Sequence, residues 1–182
     1  TQLVNGNALV AGLARSLFDQ GGQILLDSPA TRLLKDAGRV TGAVLHTPQG
    51  ALHVQARRGV VLACGGFPHD VQRKQQCLPH APTGQEHWSA GNRSNTGDGL
   101  RLGESAGGQM ARDLRQAAAL APVSLVPRED GSVAHFPHLI ERAKPGLMAV
   151  TARGQRFTNE ANSYHDVMQD LLAATPAGQT PE

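Results

Sequence analysis

The 182-residue sequence predicts an α/β chain. Three features carry that prediction: a helix followed by short segments between turn sequences, a continuous apolar run that ends in two glycines and a helix, and a second glycine-rich junction that opens another helix. Hydrophobic residues make up 40% of the chain, enough for a core, but aromatics supply only 3%. The core must therefore be built from Leu, Val and Ala.

From Asn5 to Gln20 the apolar positions Ala8, Leu9, Leu13, Leu17 and Phe18 recur at helical spacing, and Gly21-Gly22 supplies a terminator. One face of this helix is expected to be buried. Gln23–Leu26, Ala30–Leu34, Arg39–His46 and Ala51–Ala56 are short strand-like segments, the last three separated by the turn sequences KDAG and TPQG, which predicts an antiparallel meander. The run Gly59–Ala63 has no polar alternation, the pattern of a strand covered on both faces, and Val60–Ala63 is expected to be central in its sheet. Cys64-Gly65-Gly66-Phe67 follows, then a helix over about His69–Cys77. Pro79–Asn95, containing the sole tryptophan, Trp88, has no periodicity and reads as an irregular loop. Thr96-Gly97-Asp98-Gly99 leads into a helix over Leu100–Ala106, with Thr96 or Asp98 available as its cap and Gly107-Gly108 as its stop.

From Pro122 onward four prolines, Pro122 included, break the chain before Ser163, which marks a change of domain. Leu147–Thr151 and Arg156–Thr158 flank a turn sequence at Ala152–Gln155 and predict a hairpin; Ser163–Ala173 resumes helical spacing, and the tail after Thr175 should fray.

Composition excludes several classes of function. Seventeen basic residues against fifteen acidic leave a net charge of +2, and the basic ones are scattered, so no polycationic footprint for nucleic acid is present. Cys64 and Cys77 lack metal-ligand or disulfide spacing, which fits a reducing cytoplasm. His135, His138 and His165 lack a supporting carboxylate pattern for a metal. The longest apolar stretch, Ala117–Val126, is interrupted and falls far short of the roughly 20 residues that span a bilayer. The chain opens at Thr1 with neither Met nor a leader, and is expected to be an internal piece of a longer polypeptide.

Glycines directly after a buried strand let a ligand lie against main-chain N–H groups, and TGDG at 96–99 offers a carboxylate beside a helix N-terminus. Each motif has a plainer reading: the glycines turn the chain, and Asp98 caps a helix. In combination the segments are more specific. NGNALVAGL, TRLLKDAGRVTGAVL, GVVLACGGF, NTGDGLRLGESAGG and RGQRFTNEANSYHD resemble, in order, successive blocks of the fumarate reductase/succinate dehydrogenase flavoprotein superfamily, over about Asn5–Leu172. The sequence HFPHLIERAKPGLMAV before the last block makes the 3-ketosteroid Δ1-dehydrogenase branch the nearer one.

This resemblance implies the central part of a Rossmann-like FAD-binding domain over residues 1–120, with its antiparallel meander, and the start of an α+β cap or substrate domain over 121–182. It places FAD against Ala63, Cys64, Gly65 and Gly66, against Thr96, Gly97, Asp98 and Gly99, and near Ala30 on the adenine side. Cys64 replaces the usual threonine, and a thiol is a weak hydrogen-bonding substitute for a hydroxyl. The GxGxxG turn that holds the diphosphate in the family is not in this sequence. The isolated chain is accordingly expected to bind FAD weakly or not at all, to be inactive, and to be able to dimerise through exposed apolar edges.

Tyr164 stands where fumarate reductases carry a proton-donating arginine and ketosteroid dehydrogenases a proton-accepting tyrosine. The implied reaction is desaturation of a carbon–carbon bond next to a ketone in an apolar substrate such as a steroid, with hydride to flavin N5 and the proton to Tyr164. Tyrosine is a poor base unless a cation or hydrogen bonds assist it, a role open to His165 or Arg142. Tyr164 could alternatively anchor the last helix. Arg156, Asn159 and Glu160 either build the wall of the second domain or form a structural ion pair, and Glu141 with Arg142 either orients an active-site group or forms a solvated charge pair. The alternatives to the leading reading are reduction of an unsaturated carboxylate and a non-catalytic binding module.

Overall fold

The computed structural model describes residues 2–111, 118–176 and 179–181, and the chain divides into two compact units, Thr1–Val61 and Leu62–Glu182. Both are mixtures of helix and antiparallel sheet.

The first unit holds helix α1 (Asn5–Asp19) and a three-stranded meander, β1 (Ala30–Asp36), β2 (Arg39–Thr47) and β3 (Gly50–Gln55), in the order β1-β2-β3. α1 ends as its sequence prescribes: Gly21, at φ +76°, donates its N–H to Phe18 O, and Gly22 donates to Leu17 O. The predicted burial of one face does not occur, for no residue of α1 is buried and Leu9 and Leu13 are 66% and 62% exposed. Periodicity specifies an apolar face but not a partner for it. The KDAG and TPQG turns close both hairpins, with Asp36 opposite Arg39 and Thr47 opposite Gly50. The core of the sheet lies on the central strand, where Ala43 faces Leu33 on one side and Val54 on the other, and Val44 is also buried. Gly42 is required by close approach, since a Cβ there would run into the Val54 carbonyl oxygen.

Two of the expected strands are absent. Gln23–Leu26 is irregular, and Val60–Ala63 forms no strand, with Val61 90% exposed. An apolar run becomes a central strand only when neighbours on both edges pair with its N–H and C=O groups. Among the described residues none does so.

The second unit contains α2 (Val71–Cys77), α3 (Asp98–Ser105), the hairpin β4 (Val123–Pro127) with β5 (Val133–Pro137), a 3₁₀ turn at Glu141–Ala143, and α4 (Tyr164–Ala174). Pro79–Asn95 has no regular structure, as expected. The β4–β5 hairpin is not legible in the sequence, because its prolines fall at strand ends, where a missing N–H costs nothing. The hairpin expected around 152–155 is reduced to a single bridge between Val150 and Arg156, with Thr151 N–H on Gln155 O. α4 starts where predicted, on a Ser163 cap whose hydroxyl accepts the Asp166 N–H. The α3 cap differs from expectation: Gly97, at φ +80°, occupies the cap position, and Asp98 is the first helical residue. Among the described residues Leu78, Ala81, Leu102, Leu120 and Val167 are the buried apolar residues of this unit. The tail after Thr175 falls partly on residues 177, 178 and 182, outside the described residues. No described helix is long and apolar enough to cross a membrane.

The fold generates one direct test. Gly42→Ala should destabilise the meander by about 1–3 kcal/mol through overpacking against main chain, read as a lower urea midpoint for the chain; an unchanged midpoint would contradict the β2–β3 register.

Candidate functional site

The two glycine-rich motifs meet. Gly97 donates its N–H to Gly66 O at 3.1 Å, and His69 donates to Asn95 O at 3.1 Å, so the turn after Ala63 is stitched to the loop that opens α3. Three glycines make this approach possible. A Cβ on Gly65, at φ +76°, would sit 2.6 Å from Asn95 Oδ1; one on Gly97 would sit 3.3 Å from Phe67 Cβ; one on Gly99 would press on Cys64 Cβ at 3.3 Å and Sγ at 3.6 Å. Cys64 thus packs against Gly99 with its thiol.

Asp70 ties the same region together, although it is not among the residues expected at the site. Its Oδ1 accepts the Arg73 N–H as the α2 cap, and its Oδ2 lies 3.1 Å from Arg101 Nη1 on α3. Arg73 in turn spans to Glu104 with two nitrogens, at 3.0 and 2.9 Å, so α2 and α3 are clamped by a bidentate pair. An aspartate directly before a helical run is the available signal for the cap; the cross-helix pairings have none, being more than thirty residues apart. The Asp98 carboxylate is engaged internally, by Arg101 Nη2 and by the Thr96 hydroxyl at 3.2 Å.

A cavity of about 1180 Å³ opens beside this junction, lined by Gly65, Gly66 and Phe67 with Leu100, Glu104 and Met110 among others. A Cβ on Gly66 would meet nothing nearer than Pro68 Cδ at 3.8 Å, so the main chain there is open to a ligand. These residues fit a large cofactor that lies along main chain, while the carboxylate of Asp98 is already occupied. Ala63 precedes the turn, and Ala30 starts β1 in the first unit.

A second cavity, about 480 Å³, lies among the 80–90 loop, the β4–β5 hairpin and α4. Met168 and Leu171 of α4 line it, and Tyr164, 40% exposed, precedes Met168 by one turn on the same helix face. Of the two assisting groups expected for Tyr164, Arg142 donates to the Glu160 carbonyl and His165 Nδ1 accepts the Leu120 N–H at 3.1 Å. Ser124 Oγ and His138 Nε2 share a hydrogen bond of 2.6 Å at the cavity wall, a pair the sequence does not announce.

Among the described residues two charged groups are buried. Glu160 is 7% exposed and is held by Arg156 Nη2 at 2.6 Å and by the Ala149 N–H at 2.8 Å, which pull its carboxyl down to about 2; the RFTNE block thus folds on its own ion pair. Lys74 is 6% exposed and donates to His87 O at 3.0 Å, and burial lowers its pKa. Beside it His80 Nε2 and His87 Nδ1 are 3.1 Å apart, and burial, with the nearby His80 and Lys74, pushes His87 down to about 4. No group of three or more metal-ligating side chains occurs among the described residues.

Comparison with known proteins gives a consistent result. Residues 1–181 match the model of the FAD binding domain family. The chain is 37% identical over 170 residues to 4-oxocyclohex-2-ene-1-carboxylate 5-dehydrogenase of Sinomonas cyclohexanicum, covering 93% of this chain and 28% of the relative. It is 36% identical over 182 residues to 3-oxosteroid 1-dehydrogenase of Mycobacterium tuberculosis, covering 97% of this chain and 30% of the relative. Its backbone matches the crystal structure of 3-ketosteroid Δ1-dehydrogenase from Sterolibacterium denitrificans in complex with 1,4-androstadiene-3,17-dione, with a TM-score of 0.76 at 33% identity, over 93% of this chain and 30% of that one. The chain therefore spans less than a third of the length of these relatives.

The electrostatics predict two acid transitions. As pH falls from about 6.5 to about 4, the unfolded chain takes a proton that folded His87 refuses, so stability declines; His87→Phe should flatten this limb. The contribution of Glu160 is complete above the ordinary carboxylate range and is lost as pH falls toward about 2, a slope that Glu160→Gln should remove. Urea midpoints across this pH range check both. Asp70→Ala, which deletes the α2 cap, should cost about 1–2 kcal/mol in the same assay.

Proposed function

The chain belongs to the FAD binding domain family, and on that premise we propose that it forms part of an FAD-dependent oxidoreductase that desaturates a carbon–carbon bond next to a ring ketone. The observation that carries this reading is the conjunction of a cavity along the main chain of the Gly65-Gly66 turn with a tyrosine, Tyr164, that starts α4, the helix whose Met168 and Leu171 line a second cavity. The two named relatives support it, since both are dehydrogenases whose names describe a ring ketone. Residues 1–120 are assigned to the cofactor domain and 121–182 to the start of the substrate domain.

Ala63, Cys64, Gly65 and Gly66, with Thr96, Gly97, Asp98 and Gly99, would hold FAD chiefly through main chain. FAD supplies the oxidant that accepts a hydride from the substrate carbon. The protein's part is to hold the ring and to accept the proton from the carbon α to the ketone, a step assigned to the Tyr164 phenolate oxygen, which takes that proton and is left as a neutral hydroxyl. Tyr164 is the first residue of α4, at the end of the helix where a negatively charged base is favoured. Met168 and Leu171 of the same helix offer apolar surface to the ring carbons of a substrate. An apolar ketone such as a steroid is the substrate class this arrangement suits.

The test is Tyr164→Phe in the complete flavoenzyme. Loss of a general base should lower kcat by about 10²–10⁴-fold with the FAD absorbance spectrum unchanged. Wild-type turnover by that variant would show that Tyr164 anchors the helix and takes no proton.

A further inference from the structure

We propose that the cavity beside α4 binds a saturated ring compound and that Ser124 and His138 hold an uncharged oxygen of that ring, a carbonyl or a hydroxyl. The inference deepens the ring-ketone reading and rests on it.

The walls come first. Trp88, Phe157, Met168 and Leu171 give the 480 Å³ space a mainly apolar lining, and Trp88 is held over the hairpin by its ring contact with His135, with centroids 6.4 Å apart. Such a surface suits ring carbons, which gain by leaving water. The polar contribution of the hairpin is one built pair. Ser124, near the start of β4, and His138, one residue past β5, face each other across the end of the hairpin, and the His138 ring is further fixed edge-on to Phe136 with centroids 5.1 Å apart. A serine hydroxyl has one proton and two lone pairs. When His138 Nε2–H donates to Ser124 Oγ, the hydroxyl proton remains for a carbonyl oxygen in the cavity; when Ser124 donates to the imidazole, its lone pairs remain for a ligand hydroxyl.

Charge decides which oxygen is suited. Among the described residues no lysine or arginine lines this cavity, and the carboxylate that does, Glu86, is negative, bonded to the Thr83 hydroxyl and N–H. Of the four histidines in the lining, His80 and His87 are kept neutral by burial. A carboxylate entering here would give up hydration and meet no lysine or arginine among the described residues. A ketone or alcohol surrenders much less and recovers a hydrogen bond.

The sole tryptophan is the reporter, because Trp88 lines the cavity and its indole N–H gives a single resonance in ¹H–¹⁵N spectra of the 182-residue chain. Titration with 2-decalone should move that resonance saturably, whereas decahydronaphthalene-2-carboxylate, with the same rings and a charged end, should leave it in place at about tenfold higher concentration. Ser124→Ala should weaken 2-decalone binding about fivefold, the equivalent of one net hydrogen bond, and Ser124→Thr, which keeps the hydroxyl, should restore it. Dispersion of the remaining resonances reports whether each variant is folded. No shift with 2-decalone, an equal shift with the carboxylate, or full affinity in a folded Ser124→Ala chain would each overturn the proposal. Wild-type turnover by Tyr164→Phe in the complete flavoenzyme would sink the proton-transfer reading without touching 2-decalone binding by the Ser124–His138 pair, so the two failures are separable.

Discussion

The second unit depends on the clamp between α2 and α3. Asp70 satisfies an orphan N–H at the start of α2 and neutralises Arg101 of α3, and Arg73 answers from α2 to Glu104. These contacts hold two short helices that would be unstable alone, since seven and eight residues lie below the length at which a helix persists in water. With the helices fixed, the Gly65-Gly66 turn and the Thr96–Gly99 loop are brought within one hydrogen bond of each other. The cavity along Gly65–Phe67 follows from that placement.

Glycine has two distinct uses in this arrangement. At Gly65 and Gly97 the backbone takes a left-handed conformation that a side chain would strain, and at Gly99 the absent Cβ leaves room for Cys64. Cys64 is therefore accommodated by packing against Gly99.

Burial of charge marks the rest of the unit. Glu160 is buried with three hydrogen bonds, two from Arg156 and one from the Ala149 N–H, which replace much of the water its carboxylate gives up. Lys74 is buried on a carbonyl beside two neutral histidines, a less favourable solution that ties α2 to the irregular loop bearing Trp88. The loop that lines the smaller cavity is thus held by polar contacts and by the burial of Leu78 and Ala81, without any regular secondary structure.

Much of this was determined locally. The turn sequences KDAG and TPQG fixed a three-stranded meander, Gly21-Gly22 ended α1, Ser163 began α4, and the order of the glycine-rich blocks pointed to the flavoprotein family, because caps, turns and close backbone approaches are properties of neighbouring residues. Tertiary structure decided what requires a distant partner. It left Val60–Ala63 without strand neighbours and α1 without cover, it formed the β4–β5 hairpin from a segment that its prolines had disguised, and it joined Asp70 to Arg101 and Ser124 to His138. A sequence specifies which groups need partners; only the folded chain determines which of those needs are met.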